Sequence, residues 1–267
     1  MSDYFAGKHV VVTGAASGVG LALIEELLRR GAATAVMADY NEETLSLESE
    51  RVARDHPGKV KAVVTDVTNA EAVEHLITEA AAFGAGRIDL LINNAGGPFS
   101  GQFEETSDAE WQAAFALNFY GAVHGCRAVV PVMAQQGGGQ IVNVISGIAY
   151  LPLAYQARYT ATKAALHALT QVLRYEYWDL GIKVNSATPG TTKTGIWTEV
   201  PPPDYAQTAA ESAEHILTGV ERNESLIFGD TTDREKYELI SNPATSAEGE
   251  AWLLDVARKR RAGESGF

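Results

Sequence analysis

Residues 10–20 read VVVTGAASGVG, and the fold turns on them. A β-branched run ends at Thr13, glycines follow at 14, 18 and 20, and an apolar helical pattern begins within the glycine-rich turn. A chain that turns sharply from strand to helix, and must present backbone N–H groups there, needs glycine at those points. N–H groups at a helix N-terminus, with that end's partial positive charge, suit a pyrophosphate. A glycine-rich turn alone is a weak signal. Its place after the first strand and before the first helix strengthens it.

Outward from this turn, short β-branched runs alternate with longer helical patterns. Strands are expected at 8–13, 34–38, 60–65, 88–92, 140–145 and 182–188. Helices are expected at roughly 18–30, 42–55, 69–83, 108–136, 157–180 and 206–221. The alternation predicts right-handed βαβ crossovers, and so a doubly wound α/β fold. The nearly continuous apolar strands fit a parallel sheet covered by helices on both faces. Pro131 is expected to kink the long fourth crossover helix, and the glycines at 137–139 to stop it. Two regions break the rhythm: 190–206, rich in Thr and Pro, and the tail from about 229, which reads as a polar stretch, a loop and a final helix. No composition shift marks a second domain, so residues 1–267 are read as one domain with a variable C-terminal segment, 229–267.

The bulk properties exclude several function classes. A chain of 267 residues with 46% hydrophobic content can bury its own core without disulfides or metal. The single cysteine, Cys126, precludes an internal disulfide and fits a reducing, cytoplasmic setting. The start, MSDYFAGKHV, lacks an apolar signal region, and no run approaches the roughly 18 apolar residues of a membrane span. A net charge of −13 repels phosphate backbones and argues against nucleic-acid partners. The one basic cluster, Arg258–Arg261, is read as opposing the negative end of the last helix. The histidines at 9, 56, 75, 124, 167 and 215 show no metal-ligand spacing, so no metal is expected. A Gly-x-Ser-x-Gly elbow is absent, so a hydrolase is not supported.

Asp39 closes the second strand, 19 residues after Gly20. There a dinucleotide-binding unit places a carboxylate on the adenosine ribose hydroxyls. Such a carboxylate repels a 2′-phosphate, and Ala15, Ala16, Ser17 and Tyr40 offer no compensating cation. NAD is therefore expected over NADP. The alternative is that Asp39 merely caps the helix that starts near Glu42.

A second constellation carries chemistry. YTATK, residues 159–163, sets Tyr159 one helical turn before Lys163, and Ser146 stands thirteen residues before the tyrosine. A Tyr and a Lys four apart occur on many solvated helices, so the spacing alone decides nothing. Taken with T-G-x-x-x-G-x-G at 13–20, NNAG at 93–96, Asn118 and PG at 189–190, the chain resembles the short-chain dehydrogenase/reductase family over residues 6 to about 195.

That resemblance implies a Rossmann fold and an oxidoreductase that passes a hydride between a secondary alcohol or ketone and NAD. Tyr159 then looks like the general acid/base, Lys163 its charge partner and a hold on the nicotinamide ribose, Ser146 the donor to the substrate oxygen, and Asn118 the holder of a relay water. The cofactor would lie on Gly14, Ser17, Gly18, Val19 and Gly20, with Asp66 and Val67 at the adenine and Thr194 at the carboxamide. Pro189, Gly190 and Thr191 would border it. Asn93, Ala95 and Gly96 would either touch it or stabilise the sheet beside it. The resemblance also implies a homodimer or homotetramer formed through the helices at 108–136 and 157–180. The small residues Ala157, Ala161, Ala164 and Ala168 suit such a contact or ordinary core packing. The tail lacks the apolar-then-DGG ending common in the family, so its last strand is expected to be shortened or remodelled.

A pocket bordered by Tyr150, Leu151, Leu153, Tyr155, Ile196 and Trp197 would be apolar and aromatic, which suggests a hydrophobic or cyclic substrate. Residues 191–207 are read as a lid over it, against the alternative of a passive surface loop. Two other functions stay open: a sugar-nucleotide epimerase or dehydratase of the same family, and a non-catalytic NAD-binding regulatory protein.

Overall fold

The computed structural model describes residues 3–195 and 202–263. Among them, seven strands form one parallel sheet: β1 (His9–Thr13), β2 (Thr34–Asp39), β3 (Val60–Val64), β4 (Leu90–Asn93), β5 (Gly139–Val144), β6 (Ile182–Ala187) and β7 (Leu226–Ile227). Their order in the sheet is β3-β2-β1-β4-β5-β6-β7. The direction of winding thus reverses between β1 and β4, where ligands bind outside the carboxyl ends of strands in such sheets.

Alternate residues of each strand feed opposite faces, which is the period-two consequence of the pleat. Val10 and Val12 pack on one face with α1 (Gly18–Arg29), α2 (Glu42–Asp55) and α7 (Ala209–Glu221). Val11 packs on the other with α3 (Ala70–Phe83) and α5 (Gly121–Gln135). Both faces are therefore dry, as the apolar strands require. Polar residues inside the strands find partners. Gln140 donates to Asn185 Oδ1 at 2.8 Å, Asn185 donates to Asn223 Oδ1 at 3.1 Å, and Arg174 donates to the same oxygen at 3.0 Å. Among the described residues no helix is long and apolar enough to cross a membrane.

The helix expected at 108–136 is unbroken from Asp108 to Gln135 but is not α-helical throughout. α4 (Asp108–Phe115) passes into a π-helical turn, Ala116–Tyr120, before α5 begins. α5 runs through Pro131, so the departure from α geometry lies upstream of the proline, at the turn that carries Asn118. A π-turn widens the helix by one residue and frequently marks a functional site. The helix expected at 157–180 ends sooner, as α6 (Ala157–Glu176), followed by a 3₁₀ turn at Trp178–Leu180.

The tail also departs from its reading. It holds two helices, α8 (Thr231–Ser241) and α9 (Ser246–Arg261). The polar stretch DTTDREKYEL is helical because the Asp230 side chain caps it, accepting from Asp233 N at 2.6 Å. Tyr237 of α8 packs edge-on against Tyr150, with ring centroids 5.0 Å apart. The last strand, β7, is only two residues long and pairs with β6, as the missing family ending suggested. Arg258–Arg261 do form the last turn of α9.

The first crossover depends on one close approach. A Cβ on Gly20 would run into the carbonyl oxygen of Gly14 and stand 2.6 Å from Asn94 Nδ2. Both obstacles belong to fixed turns, so Gly20→Ala is expected to destabilise the protein by about 1–3 kcal/mol. A urea titration checks this; a lowered midpoint with unchanged slope is the expected result.

Candidate active site

The carboxyl ends of β1, β2, β4, β5 and β6 converge on one edge, and the predicted site residues divide there into groups. At the first turn, Gly14 and Gly18 adopt positive φ of 65° and 54°. α1 starts at Ser17 without a side-chain cap, as α5, α6 and α9 also start without one, whereas α2, α3, α4, α7 and α8 are each capped by a side chain. The first N–H groups of α1, at Gly18, Val19 and Gly20, are thus left for a ligand. Thr194 stands over this turn, its methyl 3.4 Å from where a Gly18 Cβ would lie. A cradle with exposed helix N–H groups, closed on one side by a loop after β6, fits the diphosphate of a dinucleotide.

Asp39 does not cap α2; that part falls to Asn41, which accepts from Thr44 N at 3.0 Å. The Asp39 carboxylate accepts from Ala16 N at 3.1 Å and from Asn41 N at 3.0 Å. It is fastened to the glycine turn itself, with exposed Tyr40 next to it.

The loop after β4 is held from both sides. Asn94 donates to the carbonyls of Thr13 and Gly14 at 2.9 and 3.1 Å, and Ala95 N donates to Thr13 Oγ1 at 3.1 Å. Asn94 therefore binds two crossovers together, a role that the NNAG motif contained but the residue-by-residue reading left out. Asn93 points elsewhere. It is buried and donates to Asn143 Oδ1 at 2.8 Å, so its side chain serves the sheet interior. Asp66 spends its carboxylate on its own turn, accepting from Thr68 N at 2.9 Å. Val67 is buried against Gly121.

Four residues meet at the end of β5. Lys163, nearly fully buried on α6, donates its Nζ proton to the Val144 carbonyl at 2.9 Å. A Cβ on Gly96 would lie 3.2 Å from Lys163 Nζ and 2.8 Å from Asn118 Oδ1, so the glycine lets the loop pass over both. Asn118 bonds Gly97 twice, accepting from its N–H at 2.9 Å and donating to its carbonyl at 3.0 Å. Tyr159, one turn before Lys163, stands within hydrogen-bonding reach of Ser146. Burial raises the Tyr159 pKa above that of a free phenol, the Ser146 hydrogen bond opposes this, and the charge of Asp233 adds to it. Burial alone pushes Lys163 down to about 8.

The loop after β6 is anchored by residues that the sequence reading did not single out. Thr191 N donates to Asp230 Oδ2 at 2.7 Å. Gln207 N donates to the Thr191 carbonyl at 2.9 Å, and Lys193 N to the Gln207 carbonyl at 2.8 Å. Gln207 Nε2 and Ser212 Oγ both donate to the Pro189 carbonyl, at 2.9 and 2.7 Å. Gly190 takes φ of 70° where its chain passes Asp230. The two described ends of the expected lid are thus tied together, while Ile196 and Trp197 lie outside the described residues.

The expected substrate wall is less uniform than its residue types suggest. Leu151 is buried in the interior, and Leu153 is half-buried. Tyr155, at φ of 64°, accepts from Gly101 N and borders a crevice of about 360 Å³ with Phe103, Leu254 and Arg258. Tyr150 packs with Phe228 and Tyr237, and its hydroxyl faces Asp233. The residues missed here, Asp230 and Asp233, come from the tail. Their only sequence signal was two acids three apart at a helix start.

Comparison with known proteins agrees with this arrangement. A family model described as short chain dehydrogenase matches residues 8–204. An uncharacterized oxidoreductase of Staphylococcus aureus (strain USA300) is 36% identical over 215 residues, 79% of this chain and 91% of that protein. A short chain dehydrogenase from Burkholderia cenocepacia, solved with NADP, superposes with a TM-score of 0.80 at 29% identity, covering 92% of this chain and 98% of that one. A short chain dehydrogenase/reductase from Burkholderia phymatum, solved with NAD, gives 0.79 at 28% identity, covering 91% and 98%. An L-sorbose reductase from Gluconobacter frateurii, solved with NADPH and L-sorbose, gives 0.78 at 27%, covering 85% and 97%. The match of the family model to most of the chain places this protein in the short-chain dehydrogenase family.

Proposed function

We propose that the protein is an NAD-dependent oxidoreductase that interconverts a secondary alcohol and its ketone, with Tyr159 as acid/base. The observation that carries this reading is the grouping of Ser146 and Tyr159 at the end of β5, with the Lys163 ammonium one helical turn away and held on the Val144 carbonyl. The nicotinamide, when bound, gives or accepts the hydride.

The protein's own residues handle the proton and the positioning. In reduction, the Tyr159 O–H breaks and its proton passes to the carbonyl oxygen as that oxygen becomes a hydroxyl. In oxidation, the substrate O–H proton returns to the phenolate oxygen. Ser146 donates to the same substrate oxygen and holds it against Tyr159. Lys163, positively charged at neutral pH and fixed to the Val144 carbonyl, stabilises the phenolate. The Asn118 side chain is satisfied by Gly97 and Thr162, and its place in the π-turn beside Gly96, which Lys163 also adjoins, suits the holding of a relay water. Ser17 with the first N–H groups of α1 would hold the diphosphate, and Thr194 would close over the carboxamide side.

NAD is favoured over NADP by Asp39. Its carboxylate is pinned beside the glycine turn, and Tyr40 adds no cation. A 2′-phosphate there would meet an uncompensated negative charge. Related structures hold either cofactor, so the preference rests on this chain's own residues. Two copies are expected to associate through α4, α5 and α6. The exposed Tyr120 of the π-turn and Val172 and Tyr175 of α6, with exposed Ala157 and Ala168, support a contact rather than core packing. A monomer mass by light scattering would argue against it.

Tyr159→Phe keeps the ring and removes the transferable proton. Turnover is expected to fall by about 10²-fold or more, with NADH affinity nearly unchanged by fluorescence titration. A variant that keeps a tenth or more of the activity would remove Tyr159 from the acid/base role. Asp39→Ala combined with Tyr40→Arg is expected to raise the NADP-to-NAD ratio of kcat/KM by about tenfold or more. An unchanged ratio would mean Asp39 does not set the choice.

The Lys163 ammonium also yields a pH signature. Its folded value, about 8, lies below the roughly 10.4 of an unfolded lysine. Between these values the unfolded chain binds a proton that the folded chain has released, so stability contributed by this group rises with pH across that window. Chemical denaturation without cofactor should show wild type gaining on Lys163→Met by more than about 1 kcal/mol from about pH 8 to about pH 10. A flat difference would contradict the buried charge.

A further inference from the structure

We propose that Asp233 and Tyr150 form a polar subsite beside the catalytic residues that binds a second hydroxyl of the substrate, so that the protein acts on polyols and hydroxyketones. This deepens the oxidoreductase reading above and rests on it.

Asp233 is 9% exposed, and among the described residues neither its Oδ2 nor the Tyr150 hydroxyl has a hydrogen bond of good geometry, although Thr188 and Tyr150 stand close enough to the Asp233 carboxylate to oppose the rise in its pKa. Leaving such atoms buried and unpartnered disfavours folding, and native proteins rarely do so without a reason. The subsite adjoins the reacting centre. A Cβ on Gly147, the residue after Ser146, would stand 2.6 Å from Asp233 Oδ1 and 3.0 Å from Oδ2. The charge of Asp233 reaches Tyr159. On its far side the subsite is walled by Tyr150, Phe228 and Tyr237, whose rings pack in a triangle with centroids 5.0–6.0 Å apart.

The orientation of Asp233 is not what helix capping would give. Asp233 is the third residue of α8 after its cap, Asp230. In α4 and α7 the residue at that position, Glu110 and Glu211, turns back to bond the capping residue's N–H. Asp233 instead turns away from the helix start, toward Gly147 and Tyr150. Asp230 fixes it there. One Asp230 oxygen accepts from Asp233 N and the other from Thr191 N, so α8 is clamped to the loop after β6.

The donor set selects the ligand. A carboxylate oxygen accepts, and a phenol both accepts and donates. A hydroxyl on the substrate can donate to Asp233 Oδ2 and accept from Tyr150 at once. An ammonium can only donate, and it would stand in the field of the Lys163 cation. An anionic substrate group would be repelled by Asp233 and Asp230 together. The purely apolar, cyclic substrate expected from residue types alone would leave Asp233 unpartnered in a dry pocket. Burial and Asp230 raise the Asp233 carboxyl to about 6, which leaves it mainly ionised, and so an acceptor, at neutral pH.

The test compares kcat/KM for hexitols and ketohexoses with that for cyclohexanol and cyclohexanone, using wild type, Asp233→Leu and Tyr150→Phe. Wild type is expected to favour the hydroxylated class. The hydroxylated-to-cyclic ratio should fall by about tenfold to a hundredfold in Asp233→Leu and by a smaller factor in Tyr150→Phe. Should Asp233→Leu fail to fold by circular dichroism, Tyr150→Phe decides alone. A ratio unchanged in the folded variants, a wild-type preference for the cyclic class, or a preference for amino alcohols over neutral polyols would each overturn the subsite. Should wild type turn over neither class, the hydride reading fails. The subsite then survives only if hexitols raise the melting temperature of wild type with NADH and do not raise that of the variant.

Discussion

An ammonium ion must sit almost fully out of water at the end of β5, and much of the structure is arranged around that requirement. Lys163 is bonded to the Val144 carbonyl, and no carboxylate among the described residues forms an ion pair with it. An isolated buried charge is costly and shifts toward neutrality, which is why its pKa falls to about 8. β5 and α6 hold the group rigidly on the Val144 carbonyl, and on the proposed mechanism a phenolate one turn away would profit from the charge. Gly96 and the π-turn at Asn118 follow from the same requirement. The loop after β4 must cross the ammonium closely, and only a residue without a side chain lets it do so. Asn118 then fixes that loop by bonding both polar groups of the Gly97 backbone.

The glycine turn and the loop after β4 are one unit rather than two motifs. Asn94 bonds the carbonyls of Thr13 and Gly14, and the Thr13 hydroxyl accepts from Asn94 N and Ala95 N. These bonds link β1 to β4 at the reversal of winding, where no helix crosses to do it. The turn can therefore keep helix N–H groups open to a ligand without losing its shape. Asp39 adds a third anchor through Ala16 N. A carboxylate held by two backbone donors has lone pairs left over, and on the proposed reading these would meet the adenosine ribose.

What was legible in the sequence follows from what each feature depends on. The sheet, its crossovers and the strand-to-helix turn could be read because apolar period and glycine placement are local. Ser146, Tyr159 and Lys163 could be read because one strand end and one helix set their spacing. The π-turn could not, since ALNFY carries no sign of a widened turn and Pro131 was the more obvious irregularity. Gln140, Asn143 and Asn185 interrupt apolar strands, and nothing local says that Asn223 and Thr170 will satisfy them. The tail was the least legible part. Its polar stretch becomes a helix through one cap, Asp230, and a packing contact with Tyr150, which lies far away in the chain.

The distribution of these features separates chemistry from selection. The groups proposed to move a proton lie just past the end of β5 and on α6, where Lys163 and Asn118 are held by the interior. The groups proposed to face the rest of the substrate arrive on α8, attached through Asp230 and a three-ring contact. None of these attachments runs through Lys163 or Asn118. On the proposed subsite, the Asp233 oxygen that lacks a hydrogen bond of good geometry inside the protein is explained by what it would bind. On that proposal, selection for a hydroxylated substrate would reside in the segment where the chain departs from its family's usual ending, and hydride chemistry in the part that the family model matches.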